Sequence, residues 1–149
     1  ADTPHTAAWD RLRDTVATVA ADYRAAGHTV VEAYADHGTI KAPNDGPVKF
    51  VFTVDGETVT TLTEQMTANT ICRTEIQYVD TGGYRLYLLE VHQSDDSTIA
   101  LVAGGIEKRL LVPYADTSGA AQTKVRSISN IVGLSLSHDD RTPFFEGLE

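Results

Sequence analysis

One cysteine, one methionine and one tryptophan occur in 149 residues, and lysine is nearly as scarce, with four. A lone Cys72 excludes an internal disulfide and a thiolate-rich zinc site. No apolar run approaches the roughly 20 residues that span a bilayer. The opening Ala1-Asp2-Thr3-Pro4-His5-Thr6 is not the basic-then-apolar start of a signal peptide. The expected setting is therefore the cytoplasm, with no membrane partner. Positive charge is also short: twelve Lys and Arg face twenty-one Asp and Glu, for a net charge of -9. Such a field repels polyanions, so no nucleic-acid partner is expected.

What is present is the composition of a folded chain, 42% hydrophobic and 22% charged. The length suits one domain, expected over residues 1–149, with Leu148-Glu149 set aside as an expression-vector scar. Asp supplies thirteen of the acids and Glu eight, while Arg supplies eight of the bases. Carboxylates hold water and hydrated cations where salt screens ordinary repulsion, and the long lysine stem exposes apolar surface. The balance is that of an extreme halophile more than of an ordinary acidic cytosolic protein. On such a surface acidic clusters arise without catalytic purpose.

Trp9, Leu12, Val16, Val19, Ala20 and Tyr23 recur at three- and four-residue spacing, which predicts a helix over 6–26 stopped by Gly27. Residues 29–35 read as a strand followed by a turn at Asp36-His37-Gly38. After a Pro- and Gly-rich loop, Val48, Phe50, Phe52 and Val54 alternate with polar residues as a second strand. Asp55-Gly56 admits two readings, a hairpin turn or a helix N-cap. The spacing of Val59, Leu62 and Met66 favours a helix to about residue 67. Segments 74–79, 84–91 and 98–103 read as an antiparallel meander, with turns at 80–83 and 94–97. Residues 84–91 and 98–103 are apolar on both faces, as central strands are. Gly104-Gly105 reads as a break, 107–114 as a short helix, 122–128 and 131–137 as closing strands, and 138–145 as an irregular tail. The fold class is α+β: an antiparallel sheet with a meander core, a long N-terminal helix and one or two shorter helices packed on it.

Trp9-Asp10, Asp22-Tyr23-Arg24 and Ala26-Gly27, the strand 48–54 with Asp55, and the ending Lys124-Val125-Arg126, Leu136-Ser137-His138-Asp139-Asp140 and Pro143-Phe144-Phe145 carry a likeness. In these blocks the chain resembles a haloarchaeal family of short uncharacterised proteins. In its first turn that family tends to carry His-Pro-Gly-Asp, where this chain has Asp36-His37-Gly38. The resemblance implies halophily and a shared fold, and no reaction.

Alternation puts Leu86, Leu88, Glu90 and His92 on one strand face, where a carboxylate and an imidazole two residues apart suit a metal or an acid–base pair. A strand end meeting solvent is the plainer account and is preferred. His138-Asp139-Asp140 is the densest group of ligand-type side chains, and a solvated loop with an Asp accepting backbone donors accounts for it. Gly104-Gly105 before a helix resembles an anion cradle, although glycine pairs are more often bulges or tight exits. Cys72 reads as an inert, part-buried thiol, and Phe144-Phe145 as an anchor docking on its own domain. No cofactor or metal is expected. Two functions compete: a non-catalytic module binding a protein or small molecule, which is favoured, and a small metal-assisted hydrolase using Glu90, His92, His138, Asp139 and Asp140. The doubly apolar strands exceed what two helices cover, so a homodimer is expected.

Overall fold

Helix α1, Pro4–Ala25, presents Trp9, Leu12, Val16, Val19, Ala20 and Tyr23 on one face. It ends where Gly27, at φ +99°, takes the left-handed position that a side chain resists and the His28 N–H returns to the Tyr23 carbonyl. The computed structural model describes residues 4–42, 47–66, 71–93, 97–117 and 119–148. The strands and further helices are β1 Thr29–Tyr34, β2 His37–Lys41, β3 Val48–Thr53, α2 Gly56–Gln65, β4 Ile71–Thr81, β5 Tyr84–Gln93, β6 Thr98–Glu107, α3 Lys108–Leu111, β7 Ala121–Arg126, β8 Val132–His138 and α4 Thr142–Phe145. The helix reading at Asp55 holds: its carboxylate accepts from the Thr58 N–H at 2.7 Å and caps α2.

The class is α+β, but the expected antiparallel sheet is in fact two mixed four-stranded sheets. Sheet A has the order β1-β6-β5-β4, and sheet B the order β2-β3-β7-β8. The meander β4-β5-β6 is antiparallel as expected, while β1 joins β6 in parallel and β3 joins β7 in parallel. Parallel pairing joins segments far apart in sequence, and no local turn announces it. The turn expected at Asp36-His37-Gly38 and the break expected at Gly104-Gly105 do not interrupt the strands. Asp36-His37-Gly38 leads straight into β2, because Ala35 N–H donates to Ala103 in sheet A and Asp36 N–H to Thr53 in sheet B. The chain thus steps from one sheet to the other without reversing. Gly104-Gly105 lies inside β6, paired with Tyr87 and Leu86. A Cβ on Gly104 would strike the Phe52 ring, and one on Gly105 would stand 2.7 Å from Leu86 Cδ2. Gly104 lets the sheets approach, Gly105 makes room for Leu86 within sheet A, and the pair is neither a break nor an anion cradle.

The central strands of sheet A, β5 and β6, are covered on both faces. Val16 and Ala20 of α1 pack on Leu88, Ile99, Leu101 and Ala103. On the other face Tyr87, Leu89, Val91 and Val102 meet Phe50, Phe52, Val125 and Leu136 of sheet B. The doubly apolar strands that pointed to a homodimer are therefore satisfied within the chain, and that ground for a dimer falls away. Phe144 and Phe145 dock on their own core as expected, with Phe144 stacked 4.0 Å from Phe50. Among the described residues no helix is long and apolar enough to cross a membrane. The turn expected at 94–97 lies mostly outside the described residues, as does the side chain of Cys72.

Candidate functional site

The face predicted for Leu86, Leu88, Glu90 and His92 exists, and it turns toward α1. Glu90 and His92 are buried there, and the Tyr23 hydroxyl donates to Glu90 Oε1 at 2.7 Å. That bond, more than burial, pushes the Tyr23 phenol up to about 12. The register adds a residue the sequence reading missed: Glu75 of β4 stands directly opposite Glu90. His92 Nε2 lies 3.6 Å from Glu75 Oε2 and 3.8 Å from Glu90 Oε1. Arg73, a neighbour on the same strand face, approaches Glu75 at 3.9 Å. The signal for Glu75 was a count: a two-residue turn at Gly82-Gly83 sets Thr81 against Tyr84 and hence Glu75 against Glu90.

His138, Asp139 and Asp140 do not join this group. His138 shares a 2.8 Å hydrogen bond with Thr123 Oγ1 and sits edge-on to Phe144, and burial lowers its pKa from the ordinary value of 6.5. Asp140 Oδ1 accepts from the Thr142 N–H at 3.0 Å and from its hydroxyl at 2.6 Å, which tethers the start of α4 and holds the Asp140 carboxyl below its ordinary range. Together with Arg73, Thr74 and Ile76 these residues line a cavity of about 290 Å³. Thr74 and Ile76 alternate with Glu75 and lie on the other face of β4 from it, and none of Glu75, Glu90 and His92 lines the cavity.

A third surface comes from strand pairing alone. On sheet B, Phe50, Phe52, Ala121, Val125, Leu134 and Leu136 point into the core, so the alternate residues point out. The register aligns these outward residues in three rows, Lys41–Lys49–Gln122–Ser137, Thr39–Val51–Lys124–Ser135 and His37–Thr53–Arg126–Val132, the exposed Val132 entering the last through the register shift between Val125 and Arg126. Of the twelve only Val51 is buried. No carboxylate is among them, and three of the four lysines are. The four cations leave the remaining residues at -13 within the chain's net -9. At one end of the face Ile128 is 91% exposed and Ile131 61%, held out by a turn in which Asn130 adopts φ 69°. Lys41 and Lys49 belong to β2 and β3 while Lys124 and Arg126 belong to β7, some 75 residues later, so only the parallel pairing of β3 with β7 brings the two pairs together.

The chain belongs to the family of unknown function DUF7529, which matches residues 1–146. No curated protein and no solved structure matches it.

Proposed function

We propose that this member of a family of unknown function is a non-catalytic binding module whose working surface is the outer face of sheet B. Its ligand is a carboxylate-rich segment of a protein partner that also carries apolar side chains. The observation behind this reading is the concentration of Lys41, Lys49, Lys124 and Arg126 on one carboxylate-free sheet face of an otherwise acidic chain. Exposed Ile128 and Ile131 border the face beside Val132 at its end, and an apolar anchor beside positive charge suits a polypeptide. A nucleic acid fits less well: the twelve positions hold no Phe, Tyr or Trp on which bases stack. A second copy fits less well too. Sheet A and α1 lie on the far side, and α1 is charge-balanced, with three Asp and three Arg, so it offers this face no acidic counterpart. The hydrolase reading loses support because Glu90 and His92 share no cleft with His138, Asp139 and Asp140.

The acidic remainder of the chain suits molar salt, in this same reading. The screening length there is about 3 Å, which removes long-range steering and leaves lysine–carboxylate pairs in direct contact. The test is fluorescence anisotropy with labelled poly-glutamate. Lys49→Glu with Lys124→Glu is expected to weaken binding by about tenfold or more, and Lys108→Glu, off the face, to change it little. Equal binding by all three proteins, or preference for a single-stranded oligonucleotide, would contradict the proposal.

A further inference from the structure

The geometry points to a divalent-cation site, built for zinc, between Glu75, Glu90 and His92 on the α1 side of sheet A. Three facts converge on it. First, ligand atoms held by one tetrahedral zinc at bonds of about 2.0–2.2 Å lie about 3.3–3.6 Å apart. The imidazole Nε2 already stands 3.6 Å and 3.8 Å from one oxygen of each carboxylate, within a few tenths of an ångström of that spacing. All three ligand atoms lie within 4.8 Å of one another, so small rotations of the carboxylates bring them onto one ion.

Second, Glu75 and Glu90 are directly opposed across an antiparallel pair, an arrangement that is unfavourable for two like charges unless a cation lies between them. Arg73 is too peripheral to serve, since it is mostly solvent-exposed and comes no nearer to Glu75 than 3.9 Å. Third, the donors are held from behind. The Tyr23 hydroxyl fixes Glu90 by a 2.7 Å bond, and the Tyr23 ring meets the His92 ring edge-on at 5.9 Å. Such outer contacts orient metal ligands and raise affinity. Imidazole nitrogen and carboxylate oxygen are both ligand types that zinc accepts, and three such donors leave a fourth position for water. Because Tyr23 belongs to α1 and the ligands to β4 and β5, the ion pins the end of the helix to the edge of sheet A.

The site is independent of the sheet B face. Calorimetric titration of the full chain with zinc chloride, at fixed ionic strength and pH, tests it. The native chain is expected to take one zinc per molecule and to melt at higher temperature with zinc present, by mass action. Glu75→Gln is half-exposed and leaves the core intact; it is expected to weaken zinc binding by at least about tenfold, as is His92→Gln if circular dichroism shows that it folds. Tyr23→Phe weakens binding without abolishing it, and Glu64→Gln, elsewhere on the surface, leaves it unchanged. No zinc uptake, or uptake that Glu75→Gln leaves as it was, would overturn the site and mark any bound zinc as adventitious.

Discussion

Arg85 has no solvent contact, yet it carries a full charge among Tyr87, Phe144 and the end of the chain. Asp80 makes this tolerable by accepting two hydrogen bonds, from Nε at 2.7 Å and from an Nη at 2.8 Å, while the guanidinium lies 3.8 Å over the Tyr78 ring. Asp80→Asn leaves the cation buried and half-paired. Allowing for the partial exposure of Asp80, the expected loss is about 2–3 kcal/mol, read as a lower urea midpoint. The Arg85 hydrogen bonds hold the Asp80 carboxyl below its ordinary 3.8, so its contribution is complete above that value and fades as acid protonates it. His138 has the opposite chemistry and the same sign. Burial lowers its pKa, so as pH falls below 6.5 the unfolded chain takes up the proton first and stability drops. Urea midpoints at successive pH values are expected to show this decline in the native chain and to lose it in His138→Gln. An unchanged slope would contradict the buried, hydrogen-bonded placement of His138. Residue types in sequence told of neither Arg85 nor Glu75, because each acquires its role from a partner across a hairpin.

Elements with a local cause were legible. The apolar stripe of α1, the cap at Asp55 and the alternation of β3, β7 and β8 each predict their element within a few residues. What escaped was set by tertiary contact. β2 is strand because Gly38 packs against Gly105, and β6 runs through Gly104 because Phe52 occupies the place of its side chain. Glycine pairs mark turns only when nothing presses on them. Gly104→Ala is therefore expected to cost at least about 1–3 kcal/mol of stability, as overpacking does. Gly83→Ala, in a turn with nothing within 4 Å of the added carbon, is expected to cost little. Thermal melts of the two variants distinguish them, and equal melting temperatures would contradict the close sheet contact at Gly104.

At the scale of the molecule, charge is distributed unequally: four cations on one sheet face against -13 over the rest. Self-repulsion of that remainder is relieved by salt, so the urea midpoint is expected to rise as KCl increases toward molar concentration. A midpoint independent of KCl would contradict the salt-adapted reading. The composition announced the acidity, but only the pairing of β2, β3 and β7 reveals that the few lysines are gathered together. The most direct test of that surface as the working one is a map of backbone amide shifts on titrating the ¹⁵N-labelled chain with an acidic, leucine-containing peptide. Shifts confined to His37–Lys41, Val48–Thr53, Ala121–Arg126 and the adjoining Ile128–Val132 turn are the predicted result. Shifts centred on α1 or on β4, with sheet B unmoved, would contradict it.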